Sequence, residues 1–214
     1  MKKILSLIVM IMSTAMTLMS CAVDTTKESE NSEPTEDMET SIKGKKTLVV
    51  FFSHTGENYG VGNIKEGNTH IIADMIGEAT GGTLFEIVPE KDYPHNSYDA
   101  VVEIAQKEKD EKARPAIKGD VKIEDYDVIF IGYPNWWSDM PMPVYTFIEK
   151  HDWNGKTVVP FCTHEGSGLS QTEKYIAEAC KGASVKKGLA VKGTTAQNNR
   201  EQAKKTVNSW LEKL

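Results

Sequence analysis

The sequence predicts an α/β domain built on a doubly wound, five-stranded parallel sheet. Short runs of Val, Ile, Leu and Phe without polar alternation recur between residues 47 and 191, as strands buried on both faces require. Segments with helical apolar spacing separate them. Strand and helix alternate to the C-terminus without an internal repeat, the pattern of βαβ units whose crossovers cover both faces of a parallel sheet.

The first strand is Thr47–Phe52, a continuous apolar run. Asn68-Thr69 then precede Ile71, Ile72, Met75 and Ile76, one face of a helix. Thr83–Val88 reads as the second strand, stopped by Pro89, and a polar helix follows over Tyr98–Ala113, ended by Pro115. The third strand is Asp127–Gly132, with Val144–Ile148 in the helix after it. Lys156–Cys162 is the fourth. Its Pro160 has no N–H to give a ladder, which argues against a central place unless it falls at a bulge. Leu169–Cys180 is helical, Ser184–Val191 is the fifth strand and Ala196–Leu214 the closing helix.

Ahead of this domain, residues 44–214, two segments differ in kind. Residues 1–20 open with Lys2-Lys3 and the apolar run Ile4–Met12, then small residues, the layout of a secretory signal. The run is short for a bilayer span. Leu18-Met19-Ser20-Cys21 resembles the bacterial lipoprotein box, which implies cleavage before Cys21 and lipid on its sulfur. The expected location is the extracytoplasmic face of a bacterial membrane, in the cell envelope, with the anchor as the only membrane contact. Residues 21–43 hold seven acidic side chains and no aromatic. Such a stretch cannot bury enough apolar surface to fold, and it reads as a disordered tether.

That tether accounts for most of the formal net charge of −6. The remainder is close to neutral, so nothing points to nucleic acid. The five His residues show no metal-ligand spacing, and no metal site is expected. With Cys21 assigned to lipid, Cys162 and Cys180 read as two buried, unpaired thiols.

Ligands of open parallel sheets bind beyond the carboxyl ends of the strands. After the first strand come Ser53-His54-Thr55-Gly56 and, past an interruption, Asn68-Thr69. Hydroxyls, an amide, a Gly turn and free helix N–H groups suit a phosphate dianion. The same residues also serve as caps and turns. A Gly-Lys-[Ser/Thr] P-loop is absent, and Gly60-Val61-Gly62 has no third Gly in register for a dinucleotide turn. After the third strand comes Pro134-Asn135-Trp136-Trp137-Ser138-Asp139. Its rings either stack on a flat ligand or pack beneath the loop. Thr163-His164-Glu165-Gly166-Ser167-Gly168 follows the fourth strand, with small residues that let backbone approach a ligand.

These three loops, in this order on one sheet edge, resemble the flavodoxin family, and the similarity covers about Lys45 to Leu214. The family's phosphate loop reads [Ser/Thr]-x-Thr-Gly-Asn-Thr; here Ser53-His54-Thr55-Gly56 stands apart from Asn68-Thr69 by an eleven-residue insertion, Glu57–Gly67. The resemblance implies strand order 2-1-3-4-5, FMN as cofactor and the short-chain form. It implies cofactor contacts from Ser53, His54, Thr55, Gly56, Asn68, Thr69, Pro134, Asn135, Trp136, Trp137, Thr163, His164, Gly166 and Gly168. Family members often carry, in the loop after the third strand, a Gly whose peptide flips toward the ring to stabilise a one-electron state. Here there is none from Pro134 to Pro141, so φ > 0 would fall on Ser138 or Asp139 at some cost.

The leading expectation is an FMN redox protein. It would either carry electrons to a partner protein or use NAD(P)H to reduce a quinone or other small acceptor, with His164 as the candidate proton donor. A non-catalytic flavin-binding protein is a second reading. A hydrolase using Ser53-His54, or Cys162 with His164 and Glu165, is a third. Adjacent residues rarely face one another, however, and no G-x-S-x-G elbow occurs.

Overall fold

The computed structural model describes residues 41–214. The signal segment 1–20, Cys21 and the tether as far as residue 40 lie outside the described residues.

In chain order, β1 (Thr47–Phe51) leads into a short hairpin of β2 (Gly56–Asn58) and β3 (Gly62–Ile64), then α1 (Asn68–Thr80). Next come β4 (Thr83–Glu86), β5 (Val88–Pro89), α2 (Tyr98–Asp110), β6 (Ile117–Lys118) and β7 (Val128–Pro134). α3 (Met142–Ile148), β8 (Thr157–His164) and α4 (Thr172–Ala179) follow. β9 (Ser184–Val185), β10 (Leu189–Lys192), α5 (Gly193–Asn198) and α6 (Arg200–Leu211) complete the chain. The main sheet runs β4-β1-β7-β8-β10, all parallel, which is the expected 2-1-3-4-5 order.

Alternate residues of the central strands feed two cores. Leu48, Val50, Phe52, Ile129, Ile131 and Tyr133 face one layer, with Val144, Phe147 and Ile176 from α3 and α4. Val49, Phe51, Phe130, Val159 and Phe161 face the other, with Ile72, Ile76, Ala203 and Val207 from α1 and α6. Both faces are covered, which explains the missing polar alternation. Cys162 and Cys180 are buried in the first layer and, among the described residues, unpaired.

The structure departs from the sequence reading at four places. Pro160 sits in the central strand β8, yet nothing is lost. The fifth strand is split into β9 and β10, and β8 pairs with β9 only through Val158 and with β10 only from Phe161. The Pro160 carbonyl lies against Gly188 in the gap between them, where a Cβ would come within 3.0 Å of its oxygen. The missing N–H thus falls where the ladder is already interrupted. The second strand ends at Glu86, and Val88-Pro89 instead pairs antiparallel with Ile117-Lys118. The insertion is itself the β2–β3 hairpin. The closing helix breaks at Asn199 (φ −145°, ψ 67°), whose side chain caps the N–H of Gln202 at 3.1 Å.

The sheet register sets the level of the site. Phe51, Gly132 and Phe161 are aligned across β1, β7 and β8, so the three following loops leave the sheet together. The Phe161 ring lies over Gly132, and a Cβ there would collide with it. Gly132→Ala should therefore destabilise the fold by about 2–3 kcal/mol through overpacking. Phe161→Leu in that background should recover part of the loss. Denaturant midpoints of the two variants test this, and additive losses would contradict it.

Candidate functional site

The chain leaves β1 at Ser53 and returns to it at Gly67 after the hairpin. Ser53 Oγ accepts the N–H of His70 at 3.1 Å, which leaves its own hydroxyl proton free to donate. A Cβ on Gly67 would collide with Ser53 Oγ and lie 2.7 Å from the His54 carbonyl oxygen, so only glycine closes this turn. The insertion is thereby looped out, and Ser53-His54 and Asn68-Thr69 come together. α1 starts on Gly67 with no side-chain cap and no acid in its first turn. Its leading N–H groups form an electropositive seat suited to an anion.

Not every expected phosphate residue faces that seat. Thr69 is buried, and its hydroxyl bonds that of Thr163 at 2.7 Å, tying α1 to β8. The Asn68 carboxamide oxygen accepts from Gln197 Nε2 at 2.9 Å. Thr55 Oγ1 meets His95 Nδ1 at 3.1 Å. The hairpin is tied at its start, where Glu57 N–H donates to the His95 carbonyl at 2.7 Å.

The second loop is a tight turn closed by two Trp136–Asp139 backbone bonds of 3.0 Å. Trp137 (φ +55°) and Ser138 (φ +62°) are both left-handed, the geometry of a type I′ turn. Without glycine each costs on the order of 1 kcal/mol. The surroundings hold them there. Asp139 Oδ1 accepts from the Met140 N–H at 2.7 Å and the Tyr145 hydroxyl at 2.8 Å. Lys109 Nζ donates to the Trp137 carbonyl, and Trp137 Nε1 donates to that of Val102 at 3.1 Å. The positive φ that sequence reading placed at Ser138 or Asp139 thus exists already, shared by Trp137 and Ser138. The two indoles part company. Trp136 packs edge-on against Phe52 and Tyr93 (5.3 and 5.1 Å between centroids), whereas Trp137 stays 46% exposed.

The third loop is tied to the second by Asn135, whose Nδ2 donates to the Gly168 carbonyl (2.9 Å) and Ser170 Oγ (3.0 Å). Its N–H donates to the Thr163 carbonyl at 2.8 Å. Among the described residues Asn135 Oδ1 is buried without a hydrogen-bond partner, an orphan acceptor between the loops. Pro134 pairs with Thr163 in the sheet. His164 Nδ1 accepts the Gly166 N–H at 2.9 Å, and burial lowers its pKa. The neutral ring therefore carries its proton on Nε2.

The family model described as Flavodoxin matches residues 46–214. The chain belongs to the flavodoxin family. Two solved structures of candidate flavoproteins, from Bacteroides eggerthii and Bacteroides uniformis, are each 32% identical to it with a TM-score of 0.60. Each covers 78% of this chain, and 96% and 99% of their own chains are matched. A flavoprotein from Lactobacillus acidophilus solved in complex with FMN is 21% identical, with a TM-score of 0.54, over 73% of this chain and 99% of its own. No curated protein matches.

In this flavodoxin an unforeseen cluster flanks the phosphate loop: Asp92, Tyr93 and His95, from the polar segment after Pro89. The His54 ring is buried and stacked on His95 at 5.3 Å, and its Nε2 has no partner among the described residues. Burial, then the His95 charge, lower its pKa to about 4. His95 is shifted the other way by its 3.0 Å bond to Asp92. The only sequence signal was an Asp and a His three apart beside Pro94.

A His kept neutral by folding stabilises the fold fully above its unfolded pKa, and that stability fades as pH falls toward the folded value. The domain without cofactor should therefore lose on the order of 2 kcal/mol between pH 6.5 and about 4 through His54. His54→Phe should flatten the pH dependence of its melting temperature in that window. An unchanged slope would contradict the assignment.

Proposed function

We propose that this protein binds FMN and transfers electrons to a small acceptor at the cell envelope, held there by lipid on Cys21. The observation that carries the cofactor reading is the uncapped start of α1 against Ser53 and Gly67, a seat for an anion on the edge where three loops meet. The orphan Asn135 Oδ1 between the second and third loops marks where a ligand N–H would be accepted. Bound FMN would supply the redox chemistry, taking up and releasing one or two electrons.

The chain's own residues do the rest. Ser53 and the leading N–H groups of α1 hold the phosphate without a cationic side chain. Asn135 fixes the spacing of the two ring loops, and the rigid Trp136–Asp139 turn walls one side. Backbone N–H groups around Thr163–Gly168 favour negative charge on a neighbouring ring. His164, neutral and with Nδ1 engaged by Gly166, offers its Nε2–H as a hydrogen-bond donor to a ligand rather than as an acid.

Two observations disfavour the hydrolase alternative. Burial pushes the Cys162 thiol up to about 12, so it stays protonated. Ser53 Oγ accepts from a backbone N–H while the His54 ring packs on His95, so no Ser–His pair forms.

Ser53→Ala, which removes the hydroxyl at the seat, should weaken FMN binding by about tenfold or more and leave riboflavin affinity nearly unchanged, as followed by flavin fluorescence titration. Equal losses for both flavins would overturn the phosphate assignment. For location, Cys21→Ser should abolish fatty-acid labelling of the chain, and labelling that persists would rule out the anchor.

A further inference from the structure

We propose that the cavity on the α2 side of the Trp136–Trp137 turn is a subsite for a small, planar, uncharged aromatic molecule of one or two fused rings. Its volume is about 240 Å3, and its walls include Tyr98, Val102 and Ala105 of α2 with Asn135, Trp136 and Trp137. No lining residue carries a charge. The volume lies below the roughly 300–1,000 Å3 of pockets that take drug-sized ligands, so the occupant is small.

The surroundings are built for such a ring. Of the five exposed large apolar side chains among the described residues, three gather here: Tyr59, Tyr98 and Trp137. The inserted hairpin brings Tyr59 to 5.9 Å from Tyr98, and Glu57 of the same hairpin accepts the Tyr98 N–H at 3.2 Å. Trp137 is exposed yet immobilised. Its backbone is left-handed, its indole N–H is bonded to Val102 and its carbonyl to Lys109. An aromatic wall fixed in advance loses little freedom when a ring stacks on it.

The Trp turn stands between this cavity and the loop after β8. Asn135 directs its amide to Gly168 and Ser170 on the β8 side, whereas the opposite wall of the cavity is α2, which follows β4 at the other edge of the sheet. The role of the subsite as the seat of the electron acceptor rests on the redox reading above; binding itself does not.

The test is equilibrium dialysis of 2-naphthol, uncharged at pH 7 and unreactive, against the full chain in detergent, with and without FMN. The proposal expects similar affinity in both states. Ala105→Leu, which fills the cavity, and Tyr98→Ala, which removes an exposed wall, should each weaken naphthol by about tenfold or more and leave FMN affinity within about twofold. If Ala105→Leu does not fold, the surface variant Tyr98→Ala decides. Unchanged naphthol affinity in the folded variants overturns the proposal. So does competition between naphthol and FMN, which would make the cavity part of the cofactor seat. If FMN does not bind, the redox reading falls, while the naphthol result on the FMN-free protein still judges this one.

Discussion

The contact between the Phe161 ring and the bare backbone of Gly132 is the constraint on which the site depends. It locks β7 to β8 near the carboxyl end of the sheet, where Phe51 of β1 completes the row. Parallel strands have no hairpin to fix their register, so side-chain packing must do it. A slip of one residue would turn every core side chain of β8 to the wrong face and displace one loop of the three by a strand step of about 3.3 Å. The Thr69–Thr163 hydroxyl pair and the Asn135 amide then sew the loops together above that level.

Rigidity at this edge comes from pinning and not from glycine. The turn at Trp137-Ser138 adopts a conformation L-residues avoid, and Asp139, Tyr145 and Lys109 hold it there. Arg114 reinforces the same corner, lying over the Tyr145 ring at 4.9 Å and paired with Glu149 at 2.6 Å. Local strain survives only where the surroundings over-determine it. The result is a stiff wall with the loop after β8 on one side and an apolar cavity on the other.

The electrostatics follow one rule, that burial keeps the site's titratable groups neutral. His54 and His164 are held below their ordinary range and Cys162 above its own, each chiefly by desolvation. His95, half exposed at the rim, is shifted upward instead by its bond to Asp92. An anion at the start of α1 is then met by backbone dipoles, in keeping with the near-neutral composition of the domain.

Much of the fold was legible in the chain because its signals are local. Unbroken apolar runs, helical spacing and the breaks at Pro89 and Pro115 each act within a few residues. The three loops could be named because they follow the strands. Other features were decided only by tertiary contacts. Pro160 is harmless because Gly188, 28 residues away, stands opposite it in a gap between two short strands. The Trp pair divides because Phe52 and Tyr93 accept one ring while α2 holds the other at the surface. His54 loses its charge through a stack with His95, and Thr69 turns inward because Thr163 of β8 awaits it. The sequence by itself determined the kinds and order of the elements, since backbone propensity and periodicity are short-range. Which side chains face the ligand was left to the folded chain, because that depends on partners between 28 and 94 residues apart brought together by burial.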